Sequence, residues 1–166
     1  MSRKDGIIAA ARAIVEAEGA DGLTMRALAD RLGIRAPSLY KHFRNKAEVE
    51  TAVVAQGLTE VGAAMSSAHG GLAGVARAYR AYVLEHPNLY RLINDRPLPR
   101  HLLPEGLEAT AAAPLVAVTA DGNQARAAWA FAHGMVTLEL AGRFPADADL
   151  DAAWAAGVGA FADPGG

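Results

Sequence analysis

The chain has 166 residues, of which 52% are hydrophobic, 20% charged and 6% aromatic, and its formal net charge is −2. This balance is typical of a folded globular protein. The sequence has no cysteine, which excludes disulfides, thiol nucleophiles and thiolate metal sites. It shows no apolar run long enough for a membrane span and no signal-peptide pattern, so we expect a cytoplasmic protein. Alanine is abundant and β-branched residues are comparatively few, so the composition favours an all-α fold.

Capping signals and helical periodicity divide the first part of the chain into short segments. Thr24 and Asn45 are typical N-cap residues, and Pro37 is a residue favoured in the first turn of a helix. Gly19 and Gly33 are typical of helix C-terminal ends, where a positive φ is needed. The predicted helices in this part cover residues 3–18, 25–32, 37–43 and 46–66.

The second part of the chain also follows a helical pattern, with breaks at glycine and proline. Residues 67–71 and 95–99 are predicted loops, residues 121–123 are a predicted turn, and Pro114 is expected to kink its helix. The predicted helices here cover residues 72–85, 88–94, 104–119, 124–144 and 150–161. We therefore expect an all-α protein of about nine helices.

Charge is distributed unevenly along the chain. Residues 1–50 contain nine basic and seven acidic residues, whereas residues 51–166 contain seven basic and eleven acidic ones. Between Arg31 and Lys46 there are five basic residues and no acidic one. Such a window in an acidic protein is typical of a nucleic-acid contact, although an ordinary solvated face is the alternative interpretation.

The segment 23–46, LTMRALADRLGIRAPSLYKHFRNK, contains two short helices joined by a turn with a glycine. This arrangement is a helix-turn-helix, whose second helix fits the major groove of DNA, where each base pair shows a distinct pattern of donors and acceptors. The two helices must hold each other at a fixed angle through a shared apolar contact. We expect this contact to be formed by Leu28, Ala29, Leu32, Ile34, Leu39 and Phe43.

Polar and basic side chains around this helix-turn-helix are suited to phosphates and base edges. Thr24 offers a hydroxyl at a helix N-terminus, Tyr40 a phenol on a stiff side chain, and Lys46 an ammonium group at the start of the fourth helix. Tyr40 could instead be a core residue, and His42 a surface residue without a role. The predicted DNA-contacting residues are Thr24, Arg26, Arg35, Ala36, Pro37, Ser38, Tyr40, Lys41, His42 and Lys46.

This segment resembles the DNA-binding domain of the TetR family of bacterial transcriptional regulators. Many members have Ser or Thr at the position of Arg35, so the usual hydroxyl cap is missing here and Pro37 is expected to replace it. The resemblance covers roughly residues 5–60. The residues that carry it are Gly33-Ile34, Leu39-Tyr40-Lys41-His42-Phe43, Lys46, and the upstream Thr24, Arg26, Leu28 and Ala29.

The second half resembles the WHG-type C-terminal domain of one subgroup of that family. The similar residues are Trp129, His133-Gly134 and Leu138-Glu139, with Tyr82, His86-Pro87 and Tyr90 upstream. The resemblance implies a helix-turn-helix domain in residues 1–47 and a helical regulatory and dimerisation domain in residues 48–162. Residues 163–166 are predicted to form a disordered tail.

The same resemblance implies a homodimeric repressor that binds a palindromic operator in double-stranded DNA and is released by a small hydrophobic effector. The last two helices would form a four-helix bundle across the dyad, where small residues such as Ala128 and Ala155 permit close approach. An effector pocket would be mostly apolar with a few polar groups. Its predicted lining is Tyr79, Tyr82, Val83, Leu89, Leu92, Ile93, Leu115, Trp129, Phe131, His133 and Val136.

Two alternatives compete with this interpretation. The first is a DNA-binding regulator without an effector, in which His133 is a hydrogen-bonded core residue beneath Trp129. The second is a small all-α enzyme, for which Tyr82, His133 and Glu139 are the catalytic candidates. The sequence contains no H-x-x-H pair, phosphate loop or nucleophile elbow, so we expect no metal, no cofactor and no catalytic role.

Overall fold

The computed structural model describes residues 2–162, and every regular element in this part of the chain is helical. The all-α prediction is thereby confirmed, and no helix between these residues is long and apolar enough to cross a membrane. The predicted tail lies outside the described residues. The elements are α1 (Arg3–Gly22), α2 (Met25–Arg31), α3 (Ala36–Leu39), α4 (Lys46–Ser66), α5 (Gly71–Glu85), α6 (Pro87–Asn94), a 3₁₀ turn (Arg100–Leu102), α7 (Leu107–Val116), α8 (Gly122–Leu140) and α9 (Leu150–Ala162).

The helices pack as two compact units, each of which we describe separately. The first unit comprises Met1–Thr59 and His86–Leu107, and the second comprises Glu60–Glu85 and Glu108–Gly166. The boundary therefore falls within α4 and again on either side of α6. The predicted boundary after residue 47 separates a DNA-binding segment from a regulatory and dimerisation segment. It divides the chain by function and not by packing, and it stays a prediction.

The first unit is organised around α1, which packs against α6 and α2. Asn88 Nδ2 donates to the backbone oxygen of Glu16 at 2.9 Å, which fixes α6 along α1. Gly57 on α4 admits α6 closely, because a Cβ there would lie 2.8 Å from Ile93 Cδ1 and 3.2 Å from Leu89 Cδ2. The core of this unit includes Ile7, Ala11, Val15, Leu23, Val49, Val53, Leu89 and Leu92.

In the second unit, α5 contacts both α8 and α9. The ring of Phe131 on α8 packs edge-on against Trp154 on α9, with 5.8 Å between centroids. A Cβ at Gly157 would overlap that ring, so glycine is required for this approach of α9 to α8. The core of this unit includes Val75, Tyr79, Val83, Val136, Trp154 and Val158.

Four helices differ from the sequence prediction by more than one residue at an end. Gly19 (φ 76°) kinks α1 at the predicted end, but a helical turn continues to Gly22. Helix α7 begins only after Gly106, whose φ is 75°. The predicted turn at 121–123 is instead the start of α8, because the Asp121 carboxylate accepts the N–H groups of residues 123 and 124 at 2.7 and 2.8 Å. Helix α8 ends before Gly142 (φ 60°), and α3 ends at Leu39, four residues early.

Candidate nucleic-acid interface

The turn between α2 and α3 is fixed by the backbone. Thr24 caps α2, with its hydroxyl accepting the N–H of Ala27 at 3.0 Å. At the other end Gly33 takes a φ of 63°, which lets the N–H of Ile34 reach Ala29 O at 3.0 Å. This bond and that from Gly33 N–H to residue 30 satisfy carbonyls that the helix end would leave unpaired. Both the predicted cap and the predicted positive φ are confirmed.

Helices α2 and α3 share a small apolar core. Leu28 and Leu39 are fully buried and Phe43 is 3% exposed, as the helix-turn-helix prediction requires. Burial of each such side chain contributes about 1.5–3 kcal/mol, which sets the orientation of α3 on α2. Arg35, at the start of α3, makes no side-chain capping bond, and Pro37 stands in the first turn. The missing hydroxyl cap is thus confirmed.

The turn that follows α3 separates buried from exposed aromatic residues. Leu39 O accepts the N–H groups of both His42 and Phe43, at 2.8 and 3.0 Å, which tightens the chain and ends the regular helix. Phe43 enters the core as a result, whereas Tyr40 is 54% exposed. The interpretation of Tyr40 as a core residue is therefore wrong.

The exposed surface around α3 carries positive charge. Arg35 directly precedes α3 and Lys41 and His42 follow it, and all three side chains are exposed. Arg26 lies 3.9 Å from the Asp30 carboxylate, but both side chains are more than 70% exposed. Water therefore screens this ion pair, and the attraction between the two groups is weak. Of the remaining predicted contacts, Pro37 and Thr24 are exposed, and Ala36 and Ser38 are half-buried.

The start of α4 has charges that are already paired within the protein. Asn45 caps α4, as predicted, through its Oδ1, which accepts the N–H of Glu48 at 3.0 Å. Glu48 in turn accepts the backbone N–H of Arg44 at 2.7 Å and contacts its guanidinium. These bonds from Arg44 hold the pKa of Glu48 below its ordinary value. Lys46 Nζ donates to Ala20 O at 3.0 Å.

One basic residue near α3 was missed by the sequence reasoning. Lys4 Nζ lies 5.3 Å from the centroid of the Phe43 ring, so the start of α1 places a cation beside the helix-turn-helix. Ser2 and Asp5 cap α1 reciprocally, at 3.1 and 2.7 Å. This Ser-x-x-Asp pattern marks the helix start in the sequence, but nothing local predicts that Lys4 reaches a residue 39 positions away.

The residues predicted to line an effector pocket fall in both units. Leu89 and Ile93 pack on Gly57 in the first unit, and Phe131 packs on α9 in the second. The lining set stays a prediction. Of its members, Tyr79, Val83, Leu89, Leu92 and Val136 are buried, Tyr82, Ile93, Leu115, Phe131 and His133 are half-buried, and Trp129 is 48% exposed.

The three catalytic candidates of the enzyme alternative each have a different neighbour. Tyr82 Oη donates to Glu60 at 3.0 Å, and Glu139 pairs with an arginine on α5 at 2.8 Å. The His133 ring lies 5.7 Å from that of Trp129 on the same helix. Between residues 2 and 162, no group of three or more His, Asp or Glu side chains has the arrangement of a metal site.

Both parts of the chain match models of known protein families. A family model described as bacterial regulatory proteins, TetR family, matches residues 7–53, and one described as tetracyclin repressor-like, C-terminal domain, matches residues 72–161. An uncharacterized HTH-type transcriptional regulator of Mycobacterium tuberculosis is 34% identical over 165 residues, which span 90% of this chain and 75% of that protein. Tetracycline repressor protein class A from transposon 1721 of Escherichia coli is 55% identical over 40 residues, 24% of this chain and 18% of that repressor.

Solved structures of TetR proteins are also similar to this chain. TetR from Acinetobacter baumannii AYE is 25% identical with a TM-score of 0.68, and a variant of it in complex with minocycline is 27% identical with a TM-score of 0.67. Each comparison covers 98% of this chain and 95% of the other. The family models cover both the helix-turn-helix and the helices that follow it, so the chain belongs to the TetR family and is a DNA-binding transcriptional regulator.

Proposed function

We propose that this regulator docks α3 and the turn after it, residues 36–43, in the major groove of its operator. The observation that carries the proposal is the division of side chains there: the fold uses Leu39 and Phe43, and leaves Tyr40, Lys41 and Arg35 exposed. A short helix held by its apolar side and polar on the other is what groove docking requires.

Within this interface, different residues would have different tasks. We propose that Thr24 and Tyr40 contact phosphates and fix the register, because hydroxyl groups at a helix N-terminus or on a stiff ring suit phosphate oxygens. Arg35 and Lys41 are proposed to read base edges. The other proposed contacts are Arg26, Ala36, Pro37, Ser38 and His42.

We further propose that the regulator acts as a homodimer on a palindromic operator. One helix-turn-helix reads only a few base pairs, and a dyad places two of them about 34–36 Å apart on one face of DNA. Helices α8 and α9 would supply the dimer contact, since Ala130, Ala155 and Ala156 are exposed and small. Ala128, in contrast, is 5% exposed and packs within its own protomer.

A small hydrophobic effector is proposed to release the protein from DNA in the cytoplasm, which makes it a repressor. The predicted lining is mostly apolar, and the half-buried Tyr82–Glu60 pair offers a polar group for orientation. The Acinetobacter TetR variant binds minocycline, so this compound is the first to test here. Coupling of about 1–3 kcal/mol between the two sites would lower operator affinity by about 5- to 150-fold. No catalytic role is proposed.

The test is an electrophoretic mobility shift with DNA from upstream of the protein's own gene, against an equal excess of unrelated duplex. Binding that survives the competitor supports the proposal, whereas equal loss with both DNAs contradicts sequence-specific docking. Thermal unfolding with a compound panel that includes minocycline then tests the effector, because a specific ligand raises Tm by mass action. A panel without any shift favours a regulator that has no effector.

A further inference from the structure

The start of α1 carries a cation beside the proposed DNA interface. Lys4 Nζ lies 5.3 Å from the centroid of the Phe43 ring, and Phe43 is only 3% exposed. Phe43 directly follows Lys41 and His42, which are exposed residues after α3. The side chain of Lys4 therefore reaches the end of the proposed docking segment, residues 36–43, from a different helix.

The ammonium group of Lys4 is available to a partner. The side chain is exposed, and it forms no ion pair with the residues that the structure describes. Two carboxylates are close enough to feel its charge, but backbone N–H groups hold both of them. Ser2 N–H donates to Asp5 at 2.7 Å, and Arg44 N–H donates to Glu48 at 2.7 Å. These bonds lower the pKa of each carboxylate more than the charge of Lys4 does.

The stability of α1 does not explain a cation at this position. Lys4 stands in the first turn of α1, where the positive end of the helix dipole makes a further positive charge unfavourable. The contact with the Phe43 ring offsets this cost only in part, because a cation–π contact at an exposed site is a weak interaction. The folded protein alone therefore gains little from the charge of Lys4.

We propose that Lys4 is a further DNA contact, which binds a backbone phosphate at the edge of the groove that holds α3. A lysine ammonium is a compact point charge and suits a phosphate, which is present at every base sequence. Because the side chain already lies against the Phe43 ring, less of its conformational entropy is lost when DNA binds. The inference rests on DNA binding by the proposed interface.

The salt dependence of binding separates a phosphate contact from a purely structural role. Each lysine that neutralises a DNA phosphate releases a counterion and contributes about 0.9 to the slope of log affinity against log salt concentration. If Lys4 only packs on Phe43, its loss changes the stability of the protein and leaves this slope unchanged. Lys4→Met is the informative variant, because methionine keeps a long apolar side chain against the ring and removes the charge.

The experiment measures Kd by fluorescence anisotropy for the full chain with a mixed-sequence duplex of about 30 base pairs, long enough for two half-sites. Wild type, Lys4→Met, Lys4→Arg and Arg77→Met are titrated between about 50 and 200 mM salt. Lys4→Arg retains the charge. Arg77, exposed on α5, is the control for the loss of one cation outside the helix-turn-helix.

We expect Lys4→Met to lower the slope by about 0.9 per protomer and to weaken binding about 5-fold at the lowest salt concentration. Lys4→Arg and Arg77→Met should keep the wild-type slope. A wild-type slope in Lys4→Met overturns the inference, whether or not its affinity falls. Failure of the wild type to bind any duplex would count against the proposed function instead.

Thermal unfolding without DNA tests whether Lys4 acts through the fold. We expect the Tm of Lys4→Met to stay within about 2 °C of the wild-type value, because an exposed substitution rarely changes stability by more than a small amount. A larger fall in Tm together with an unchanged salt slope would show that Lys4 supports the core around Phe43, and would overturn the inference.

Discussion

The helix-turn-helix and the layer formed by α5, α8 and α9 handle charge in opposite ways. Around α3, basic side chains such as Lys41 stand exposed on a small apolar core. Among α5, α8 and α9, Arg80 on α5 donates two hydrogen bonds to Glu139 on α8, at 2.8 and 3.0 Å, and a third to Asp151 on α9. Its guanidinium also lies 5.6 Å from the ring of Trp154.

This difference separates residues that the fold needs from those that remain available for a partner. The Arg80 side chain is 20% exposed and that of Glu139 is 14% exposed. Because water reaches these groups poorly, each charge is compensated by the other and not by solvent. The hydrogen bonds that Arg80 donates to Glu139 raise the pKa of Arg80 above its ordinary value, and the guanidinium stays charged. Arg35 and Lys41, exposed near α3, have no such partner among the described residues, and their positive charge is therefore available to DNA phosphates and bases.

The largest effect should come from exchanging the two neighbouring aromatic residues for alanine. Phe43→Ala removes a ring that is only 3% exposed, and should lower the free energy of unfolding by about 3–5 kcal/mol. Tyr40→Ala removes an exposed ring and should change that free energy by no more than about 0.5 kcal/mol, yet weaken DNA binding about 5- to 10-fold. Urea unfolding followed by circular dichroism, with anisotropy for DNA, checks both. Equal stability losses would contradict the buried-versus-exposed division.

Arg80→Met tests the opposite use of charge. It leaves the Glu139 carboxylate half-buried without its bidentate partner, and should cost about 2–3 kcal/mol of stability. Arg77→Met, on an exposed position of the same helix, is the control and should change stability by less than about 0.5 kcal/mol. Both are measured by urea unfolding. A loss of similar size at the two positions would show that the ion pair contributes nothing special.

A smaller change is expected from substitutions that read DNA bases. Arg35→Ala should lose about 1–3 kcal/mol of discrimination at one operator position and leave the free protein's stability unchanged. Binding measured against a set of single-position operator variants checks this expectation. If affinity falls uniformly for all variants, Arg35 contacts phosphate and not a base edge.

The sequence predicts the helix-turn-helix well because the residues that determine it act locally. Thr24, Gly33 and Phe43 each act within a few residues, through a cap, a positive φ and an i, i+4 apolar contact. The Arg80–Glu139 pair joins residues 59 positions apart, and the periodicity of neither helix predicts it. Phe131 shows the same limit, since no local pattern predicts its edge-on contact with Trp154 on α9.

Lys46 shows why predicted site residues need the fold as well as the motif. Its position after Leu39-Tyr40-Lys41-His42-Phe43 predicts a DNA contact, and the same is predicted for Lys41, which is exposed. Only the fold shows that Lys46 also has partners within the protein, since its Nζ donates to Ala20 O at 3.0 Å and lies 3.4 Å from Glu50 Oε1. The capping residues Asn45 and Thr24, by contrast, act where the sequence places them.

The smallest expected effect concerns pH and the start of α8. The Asp121 carboxylate accepts the N–H groups of Gln124 and Asn123, and these bonds hold its pKa below its ordinary value of 3.8. Because the folded-state pKa is lowered, the stabilisation is present above that ordinary value and is lost as pH falls through the folded pKa. Asp121→Asn keeps an acceptor for the cap but cannot titrate. We expect Tm profiles of wild type and Asp121→Asn to run parallel near neutral pH and to converge in acid, where a constant separation would contradict this role of the carboxylate.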